Sequence, residues 1–442
     1  MKIQLPEKVK FIIDTITAAG YEAFAVGGCI RDSILGREPN DWDITTSAKP
    51  EQVKALFRRT IDTGIAHGTV TIMLDKEGFE VTTYRIDGEY EDSRHPKEVM
   101  FTSNLIEDLK RRDFTINAFA YNETTGLVDA FEGLKDIEKG VIRCVGDARE
   151  RFTEDALRIL RAIRFSAQLG YEIEESTKEG IRLLAGNLQN ISAERIQVEL
   201  TKLLTSSHPD YLRVAYETGV TAVILPEFDA CMKTPQNHCH HCYSVGEHIL
   251  QSLNKVPSLK ELRLAMLFHD IAKPRTLTMD EDGTTHFHGH PKVSAKMAEE
   301  ILKRLRYDND TIYKVTCLVE FHDYGKGVKP DLRLARRAVN RIGEDIFPLL
   351  MPVFRADVLA QSDYKREEKL EAIAKWEELF AEIQEKKQCV SLKSLAVNGS
   401  DLIALGMKPG KQIGETLHAL LEHVLDHPED NVKEILIKKV LS

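Results

Sequence analysis

Two segments near the start of the chain decide the fold: Val26-Gly27-Gly28-Cys29-Ile30-Arg31-Asp32 and Asn40-Asp41-Trp42-Asp43-Ile44. A glycine pair between a predicted strand and a predicted helix lets backbone N–H groups approach a phosphate closely, with Arg31 one turn into the helix. Asp41 and Asp43 are two residues apart, so on a strand both carboxylates point to the same face. Mg²⁺ is usually held by one or two such carboxylates together with substrate phosphates. Glu80, in a later strand-like run, is a candidate third carboxylate.

Length and composition limit the class of protein. The 442 residues correspond to about three domains at ~150 residues per domain. Apolar residues make up 42% and charged residues 29% of the chain, which predicts a buried core rather than disorder. The 60 Lys and Arg against 70 Asp and Glu give a net charge of −10. This charge excludes a globally basic nucleic-acid binder but allows a local basic groove.

The sequence carries no signal for a membrane or a secreted location. No stretch approaches the ~18 consecutive apolar residues of a transmembrane helix, and the first residues lack the layout of a signal peptide. Seven cysteines are too few and too scattered for a disulfide framework. We therefore expect a soluble, cytoplasmic protein with no membrane partner.

The distribution of strand and helix signals predicts an α+β architecture. Strand-like runs occur only up to about residue 145, and helical periodicity dominates the chain from about residue 150. We predict a mixed-sheet head at 1–145, a helical neck at 146–234, a third domain at 235–364 and a helical tail at 365–442.

The segment from Gly27 to Asp43, together with Arg111-Arg112-Asp113-Phe114-Thr115-Ile116-Asn117-Ala118, resembles the class II tRNA nucleotidyltransferases. These are the CCA-adding enzymes, in the same superfamily as bacterial poly(A) polymerases. The resemblance continues through 129–133, 154–158 and 193–196. It implies a polymerase-beta-like nucleotidyltransferase head that adds CMP, CMP and AMP, from CTP and ATP, to the 3′ end of tRNA and releases pyrophosphate.

The same resemblance implies roles for single residues of the head. Asp41 and Asp43 hold two catalytic Mg²⁺ ions, assisted by Glu80, and these ions activate the RNA 3′-hydroxyl and stabilise charge at the α-phosphate. Gly28, Arg31 and Arg112 contact the triphosphate. Arg112 suits that role because a guanidinium binds phosphate oxygens in a bidentate manner.

Asp155 and Arg158 lie three residues apart on a predicted helix and therefore share a face. A carboxylate accepts from a base amino group while a guanidinium donates to ring acceptors, so the pair can imitate a Watson–Crick partner. The resemblance implies this role in choosing CTP and then ATP. Arg161 and Arg164 continue in steps of three along the helix and are predicted to bind nucleotide phosphates or RNA. The alternative is a surface ion pair.

A polar, turn-rich segment at 89–96 resembles the flexible loop of full CCA-adding enzymes. Its residues of interest are Asp92, Arg94 and His95. An ordinary solvated loop is the alternative interpretation.

A second set of potential metal ligands consists of His248, the adjacent pair His269 and Asp270, and Asp357. Imidazole and carboxylate ligands suit Mn²⁺, Ni²⁺, Fe²⁺ or Mg²⁺. The pattern resembles the HD phosphohydrolase superfamily, so 235–364 is predicted to be an HD domain with a second divalent metal of unknown identity. His290 and His322 lie where two-metal members place further ligands. The alternative is a degenerate HD fold that serves only as a scaffold.

Three further segments are ambiguous. The run Asn237-His238-Cys239-His240-His241-Cys242 has the composition of a zinc site, but no second cysteine pair matches it, which favours a loop. The basic run from Lys329 to Arg341 predicts either a tRNA contact or a solvated helix face. The segment 406–411 precedes a helix and predicts either a phosphate contact or a simple corner between helices.

The leading hypothesis is therefore CCA addition to tRNA. The alternatives are an A-adding enzyme or poly(A) polymerase, an HD phosphohydrolase with an auxiliary head, and a non-catalytic tRNA-binding protein. The loop around Arg94 and His95 favours full CCA addition. The oligomeric state is not predicted by the sequence.

Overall fold

The structure is a computed structural model that describes residues 1–88 and 99–441. The chain divides into two compact units, Met1–Pro226 and Glu227–Ser442. The first unit contains a mixed sheet and the second is largely helical, which confirms the predicted α+β class. Among the described residues, no helix is both long enough and apolar enough to cross a membrane.

Eleven of the described strands lie in the first unit and two short ones lie in the second. They are β1 (Ala23–Val26), β2 (Asp43–Thr46), β3 (Thr60–Gly64), β4 (Thr69–Leu74), β5 (Glu77–Thr83), β6 (Arg85–Asp87), β7 (Val99–Phe101), β8 (Phe119–Asn122), β9 (Gly126–Asp129), β10 (Val141–Ile142), β11 (Glu172–Ile173), β12 (Thr278–Met279) and β13 (Thr285–His286). The main sheet has seven strands in the order β3-β4-β5-β2-β1-β8-β9. Only the β2–β5 pairing is parallel in this sheet.

Twelve of the described helices begin in the first unit, of which the first four alternate with the strands of the main sheet and the other eight follow its last strand. They are α1 (Glu7–Ala18), α2 (Gly28–Ile34), α3 (Pro50–Leu56), α4 (Leu105–Lys110), α5 (Gly133–Lys139), α6 (Ala148–Glu154), α7 (Leu157–Leu169), α8 (Glu175–Leu184), α9 (Ala193–Leu204), α10 (Leu212–Glu217), α11 (Val220–Ile224) and α12 (Pro226–Met232). Val9, Ile12 and Ile16 of α1 are spaced at helical intervals and pack with Ile44 and Val70 of the sheet. This core fixes the strand β2, which begins at Asp43.

The second unit is built from eleven further helices. They are α13 (Val245–Leu253), α14 (Lys260–Phe268), α15 (Lys273–Thr276), α16 (His290–Arg304), α17 (Asn309–Phe321), α18 (Leu332–Ile342), α19 (Phe347–Leu359), α20 (Arg366–Glu385), α21 (Gly399–Ala404), α22 (Lys411–Asp426) and α23 (Lys433–Leu441). Helix α14 is buried from Leu262 to Phe268 and therefore lies at the centre of its unit.

The predicted basic run belongs to α18, and its arginines bind within the fold. The Arg333 guanidinium lies 2.7 Å from Asp426, and that of Arg337 lies 2.8 Å from Glu422. Arg336 is buried and donates to the carbonyl oxygen of Leu425 at 2.7 Å. These contacts attach α22 to α18, so three of the arginines in the run stabilise the tail.

Candidate functional site

The glycine turn brings together a strand, a helix and an arginine. Gly27 has φ +87° and precedes α2, a conformation that side chains with a Cβ rarely adopt. A Cβ at this position would lie 2.8 Å from Nη1 of Arg112. The Gly27 amide donates to the carbonyl oxygen of Phe119 at 3.1 Å. The turn therefore needs glycine both for its backbone angle and for the close approach of the guanidinium.

The two aspartates lie beside this turn. Asp43 is the first residue of β2, opposite Val26 of β1, and Asp41 precedes the strand rather than lying in it. Both side chains keep solvent access. Partial burial nevertheless raises the pKa of Asp43; the Arg112 guanidinium opposes this shift and the charge of Asp41 adds to it. A pair of carboxylates beside a guanidinium can bind a divalent cation together with an anionic phosphate.

Glu80 lies on the strand next to the aspartates. The parallel register pairs Ile44 with Val81, which places Asp43 beside Glu80 on the same face of the sheet. In the described part of the chain, however, the groups of three or more potential ligands within 4.8 Å do not include Asp41, Asp43 and Glu80 together. The geometry fits two carboxylate ligands with Glu80 close by, and Mg²⁺ needs no more than this from the protein.

A network of ion pairs connects the glycine turn with α7. The Arg31 guanidinium donates to Asn117 at 2.6 Å and to both carboxylate oxygens of Asp32 at 2.9 and 3.0 Å. Asn117 donates in turn to Asp113 at 3.1 Å, and Asp113 accepts two bonds from Arg161 at 2.6 and 2.9 Å. Burial alone would raise the pKa of Asp113, but Arg161 and Asn117 outweigh it and hold that pKa below its ordinary value.

Phe165 of α7 is a functional candidate that the sequence reasoning missed. The guanidinium groups of Arg31, Arg161 and Arg164 lie 4.9, 5.4 and 3.7 Å from the centre of its ring. Stacking on an aromatic face is a favourable environment for a guanidinium. The ring of Phe165 therefore brings Arg31, a predicted triphosphate ligand, together with two arginines of α7.

Arg164 is the predicted nucleotide ligand that the structure supports least. Its side chain is buried, and its guanidinium donates to Glu199 at 2.5 Å and to Gln168 at 2.8 Å. A guanidinium enclosed in this way has no free face for phosphate. The environment of Arg164 favours a role in packing α7 against α9, because its carboxylate partner lies on α9.

Asp155 and Arg158 do not share a helix face as predicted, because Asp155 lies in the extended break between α6 and α7, whereas Arg158 is the second residue of α7. The two side chains also have separate partners. Asp155 accepts from the Leu157 amide at 3.0 Å and from the Arg195 guanidinium at 2.8 Å. Arg158 donates to Glu154 at 2.7 Å and to the carbonyl oxygen of Arg111 at 3.1 Å. Each of the two side chains is thus oriented by a neighbour. The sequence did contain a signal for Arg195, because it lies in the quoted segment 193–196.

The predicted loop residues Asp92, Arg94 and His95 lie outside the described residues, so their role stays a prediction. Gly28, by contrast, is described and is the first residue of α2, directly after the glycine turn. Its backbone lies beside the Arg31 guanidinium, because a Cβ there would be 3.6 Å from Nη2 of that side chain.

The second unit brings all six predicted HD ligands together in its core. Nε2 of His248 lies 2.9 Å from Asp357 and 3.1 Å from Nε2 of His269. Nε2 of His290 lies 3.1 Å from Asp270 and 3.2 Å from Nε2 of His322. The six side chains are buried and form two adjacent groups of three, which we call the inner cluster: His248, His269 and Asp357, and Asp270, His290 and His322.

The four histidines of the inner cluster share one orientation. Nδ1 of His248 lies 3.2 Å from the carbonyl oxygen of Ala360, and Nδ1 of His269, His290 and His322 lies 2.7 to 2.8 Å from a carbonyl oxygen three residues earlier. A carbonyl only accepts, so Nδ1 carries the proton and Nε2 presents a lone pair to the cluster. Burial lowers the pKa of His322 to about 4, whereas the carboxylates of Asp270 and Asp357 outweigh burial and raise the pKa of His269, so a metal at the cluster would compete with a proton on His269. Neutral imidazoles and carboxylates fit a divalent transition metal.

A cavity of about 450 Å³ opens onto the inner cluster and is lined by several basic side chains. Lys273 lies 2.7 Å from Asp270, and Lys326 lies 3.0 Å from Asp357. Burial would raise the pKa of Asp270, but His269 and Lys273 outweigh it and hold that pKa well below its ordinary value. A cavity lined by ammonium groups beside potential metal ligands suits a phosphate ester.

Comparison with known proteins identifies the family. Residues 23–143 match the Poly A polymerase head domain, 170–232 the probable RNA and SrmB-binding site of polymerase A, and 275–440 the putative tRNA nucleotidyltransferase domain 2. A CCA-adding enzyme of Levilactobacillus brevis is 37% identical over 439 residues, covering 99% of this chain and 98% of the relative. The chain belongs to the CCA-adding enzyme family.

Other members of the CCA-adding enzyme family agree with this assignment. The enzyme of Lactiplantibacillus plantarum is 51% identical over 232 residues, which are 52% of this chain and 56% of the relative. The solved structure of the Bacillus stearothermophilus CCA-adding enzyme in complex with CTP has a TM-score of 0.71 at 28% identity and covers 99% of this chain and 98% of that one. The family resemblance predicted from the head motifs is confirmed. The chain is therefore a tRNA nucleotidyltransferase that uses a divalent metal.

Proposed function

We propose that the first unit builds the CCA end of tRNA with Asp41 and Asp43 as its metal ligands and Mg²⁺ as its metal. Full-length relatives are named CCA-adding enzymes, and a related structure binds CTP. CCA addition to tRNA from CTP and ATP is therefore the activity of the chain, rather than polyadenylation or tRNA binding without catalysis. The observation that carries the residue assignment is the carboxylate pair beside Gly27 and Arg112.

Bound Mg²⁺ would supply Lewis acidity at the α-phosphate and lower the pKa of the RNA 3′-hydroxyl. Asp41 and Asp43 would hold it through their carboxylates, and Glu80 would add negative charge beside them. Arg112 is placed to neutralise the triphosphate, because its guanidinium lies against the glycine turn and near Asp43. Arg31 is held by Asp32 and Asn117 and supports the glycine turn, at which Gly28 starts the helix.

Nucleotide choice falls to Asp155 and Arg158 at the start of α7. Their side chains offer acceptors and donors to a base edge, and Arg195 and Glu154 fix their orientation. Because α7 also carries Arg161, which is bonded to Asp113, the selecting residues are joined to the segment that supplies Arg112. A protein template of this kind works only if its side chains are rigid.

The experiment uses tRNA transcripts that end before the first C, after C and after CC. CTP and ATP are supplied singly and together with Mg²⁺, and the products are resolved to single nucleotides. We expect two C and then one A from the intact chain. Asp41→Asn and Asp43→Asn should each lower the rate about a thousandfold, because a lost metal ligand removes roughly 4 kcal/mol of transition-state stabilisation.

The matched control for these variants is Asp62→Asn. Asp62 is an exposed aspartate on β3 of the same sheet, paired at 2.8 Å with Lys54. It should leave addition unchanged. Full activity in Asp41→Asn and Asp43→Asn would remove the proposed ligand assignment, and addition of A alone to the CC transcript would place the chain among A-adding enzymes.

We propose a second activity, metal-dependent phosphoester hydrolysis, for the second unit. The observation that favours it is the shared orientation of four buried histidines toward Asp270 and Asp357. A bound divalent ion would supply an activated water there. Lys273 and Lys326 are placed to bind the phosphate, because both line the cavity beside the metal-binding carboxylates.

Hydrolysis of bis-p-nitrophenyl phosphate and p-nitrophenyl phosphate, each with Mn²⁺, Ni²⁺ or Mg²⁺, tests this second activity. We expect release of nitrophenolate by the intact chain and its loss in Asp270→Asn. The control is Asp310→Asn, an exposed aspartate of α17 paired with Lys314. If Asp270→Asn hydrolyses the substrates as fast as the intact chain, the activity comes from a contaminant and the proposal fails.

The domain limits 1–145, 146–234, 235–364 and 365–442 also stand as proposals. The division of the chain between Pro226 and Glu227 lies eight residues before the proposed start of the HD domain at 235. The other two limits await limited proteolysis with mass spectrometry of the fragments. A cytoplasmic location is proposed on the same footing and would be tested by fractionation of cells.

A further inference from the structure

The loop before α13 contains a cluster of ligands that belongs to neither site described above. His238, Cys239 and His240 each place a nitrogen or sulfur atom within 4.8 Å of the other two. Cys239 is exposed, and the two histidines line the mouth of the cavity above the inner cluster. The sequence pattern alone argued against a metal here, because the cysteine pair at 239 and 242 has no second pair to match it. The structure joins one of those cysteines with two histidines instead.

The bonding around His238 fixes the protonation of its ring. Nδ1 of His238 accepts a long hydrogen bond from the His240 amide at 3.3 Å, so it is unprotonated, and a metal would take over this lone pair in place of the amide. Sγ of Cys239 lies 3.8 Å from the same nitrogen. In a tetrahedral zinc site, bond lengths of about 2.3 Å to sulfur and 2.0 Å to nitrogen separate the two ligand atoms by roughly 3.6 Å. The observed spacing is close to this value.

The third ligand, His240, has a ring nitrogen without a hydrogen-bond partner in the described part of the chain, and hydrogen bonds hold the backbone of the loop in place. Nδ1 of His240 is buried and, within the described residues, has no hydrogen-bond partner. The loop is fixed from both ends, because Ser362 donates to the carbonyl oxygens of Cys239 at 2.6 Å and His240 at 3.0 Å. The Asn237 amide donates to Thr285 at 2.8 Å. A short loop held in this way changes little when it binds an ion.

We propose that His238, Cys239 and His240 form an outer metal site for Zn²⁺ at the mouth of the cavity. The thiol distinguishes this site chemically from the inner cluster, which offers only imidazole and carboxylate ligands, because thiolates select zinc-class ions over Mg²⁺ and Mn²⁺. Three protein ligands leave the fourth tetrahedral position open to water or to a ligand in the cavity. The proposal does not depend on either enzymatic activity.

The two sites lie close enough to be connected through histidine rings. The His241 ring lies 6.4 Å from His238 and 5.8 Å from His248 of the inner cluster, measured between ring centres. An ion at the outer site therefore lies beside the entrance to the inner cluster.

Cobalt spectroscopy separates the outer site from the inner one. Co²⁺ replaces Zn²⁺ in such sites, and only a thiolate ligand gives a sulfur-to-cobalt charge-transfer band in the near ultraviolet. The full chain is stripped of metal, kept reduced without oxygen, and titrated with Co²⁺. The band should appear in the intact chain and vanish in Cys239→Ser. The matched control is Cys242→Ser, which removes an exposed thiol of the same loop that lies outside the cluster.

His238→Ala distinguishes a built site from a lone thiol. Loss of an outer-shell partner already costs 10- to 100-fold in metal affinity, so loss of this ligand should weaken Co²⁺ binding at least tenfold. Circular dichroism of the metal-free proteins checks that each variant is folded. The proposal is overturned if the intact chain gives no band, if the band survives in Cys239→Ser, if Cys242→Ser also loses it, or if His238→Ala binds as tightly as the intact chain.

Discussion

Substitution of Gly27 by alanine tests how the glycine turn serves the triphosphate site. The new methyl group would lie 2.8 Å from Nη1 of Arg112, whereas ordinary contact begins at 3.4 Å. The guanidinium must therefore move by about 0.6 Å, the difference between these two distances. It lies at the end of a flexible side chain, so the clash is relieved by displacing the proposed phosphate ligand.

Two effects of different size follow from this displacement. The positive φ of +87° should lower the free energy of unfolding by about 1–3 kcal/mol in the alanine variant. A displacement approaching 1 Å in a positioned catalytic group can cost about a hundredfold in rate, or roughly 2.7 kcal/mol. We therefore expect addition by the folded Gly27→Ala enzyme to be about a hundredfold slower.

The assay measures kcat/KM for CTP on the transcript that ends before the first C, together with urea unfolding of the same samples. The matched control is Gly20→Ala. Gly20 also has a positive φ, +89°, but a Cβ there would meet nothing within 4 Å. Gly20→Ala should lose stability while keeping its rate. A Gly27→Ala rate within threefold of the control would refute the link between the turn and Arg112.

Three further predictions follow from contacts in the two units. Arg195→Met should reduce the preference for CTP over UTP, because Asp155 loses the guanidinium that orients it; competition between the two nucleotides measures this. Asp113→Asn should lower the free energy of unfolding at pH 7 by about 1–3 kcal/mol, because the half-buried Arg161 guanidinium loses its buried carboxylate partner. The deficit should shrink as the pH falls below 3.8, because the lowered pKa of Asp113 gives a stabilisation that protonation removes. Mn²⁺ at a hundred times its dissociation constant should stabilise the second unit by about 2.7 kcal/mol against urea.

Each of these predictions has its own control. Arg182→Met removes an exposed arginine of the same unit that pairs with Glu175 and Glu179, and it should leave nucleotide choice unchanged. A pH-independent deficit in Asp113→Asn would contradict the ion-pair argument. Stabilisation by Mn²⁺ that persists in Asp270→Asn would place the bound ion outside the inner cluster.

The sequence predicts local features best, namely those whose residues are close together in the chain. The turn between a strand and a helix at Gly27 was predicted from 26–32 and is present between β1 and α2, whereas Asp41 lies outside β2 and not on the strand with Asp43. The position of the adjacent pair His269 and Asp270 was also predicted, because both residues directly follow the buried helix α14. Such local patterns survive folding because neighbours in sequence stay neighbours in space.

The contacts between distant segments were not predicted. Arg164 was expected to bind phosphate from its spacing along α7, but Glu199, 35 residues further on, binds it in the core. Helix α19, which carries Asp357, cannot be recognised from hydrophobic periodicity, because it contains Pro352 and is apolar on most sides. Periodicity reveals a helix only when one of its faces meets water, and α19 is buried from several directions.

Several arginines of this acidic chain are already paired with carboxylates or stacked on Phe165, and this affects how strongly RNA binding depends on salt. A guanidinium that is already neutralised by a carboxylate, or stacked on Phe165, displaces no counterions when a nucleic acid arrives. The dependence of binding on salt follows the number of phosphates that free cations neutralise, with a slope of about 0.7 to 0.9 per phosphate. That slope should therefore fall well short of the value that the arginine content suggests. The arginines to be left out of that count are Arg31, Arg161, Arg164, Arg333 and Arg337.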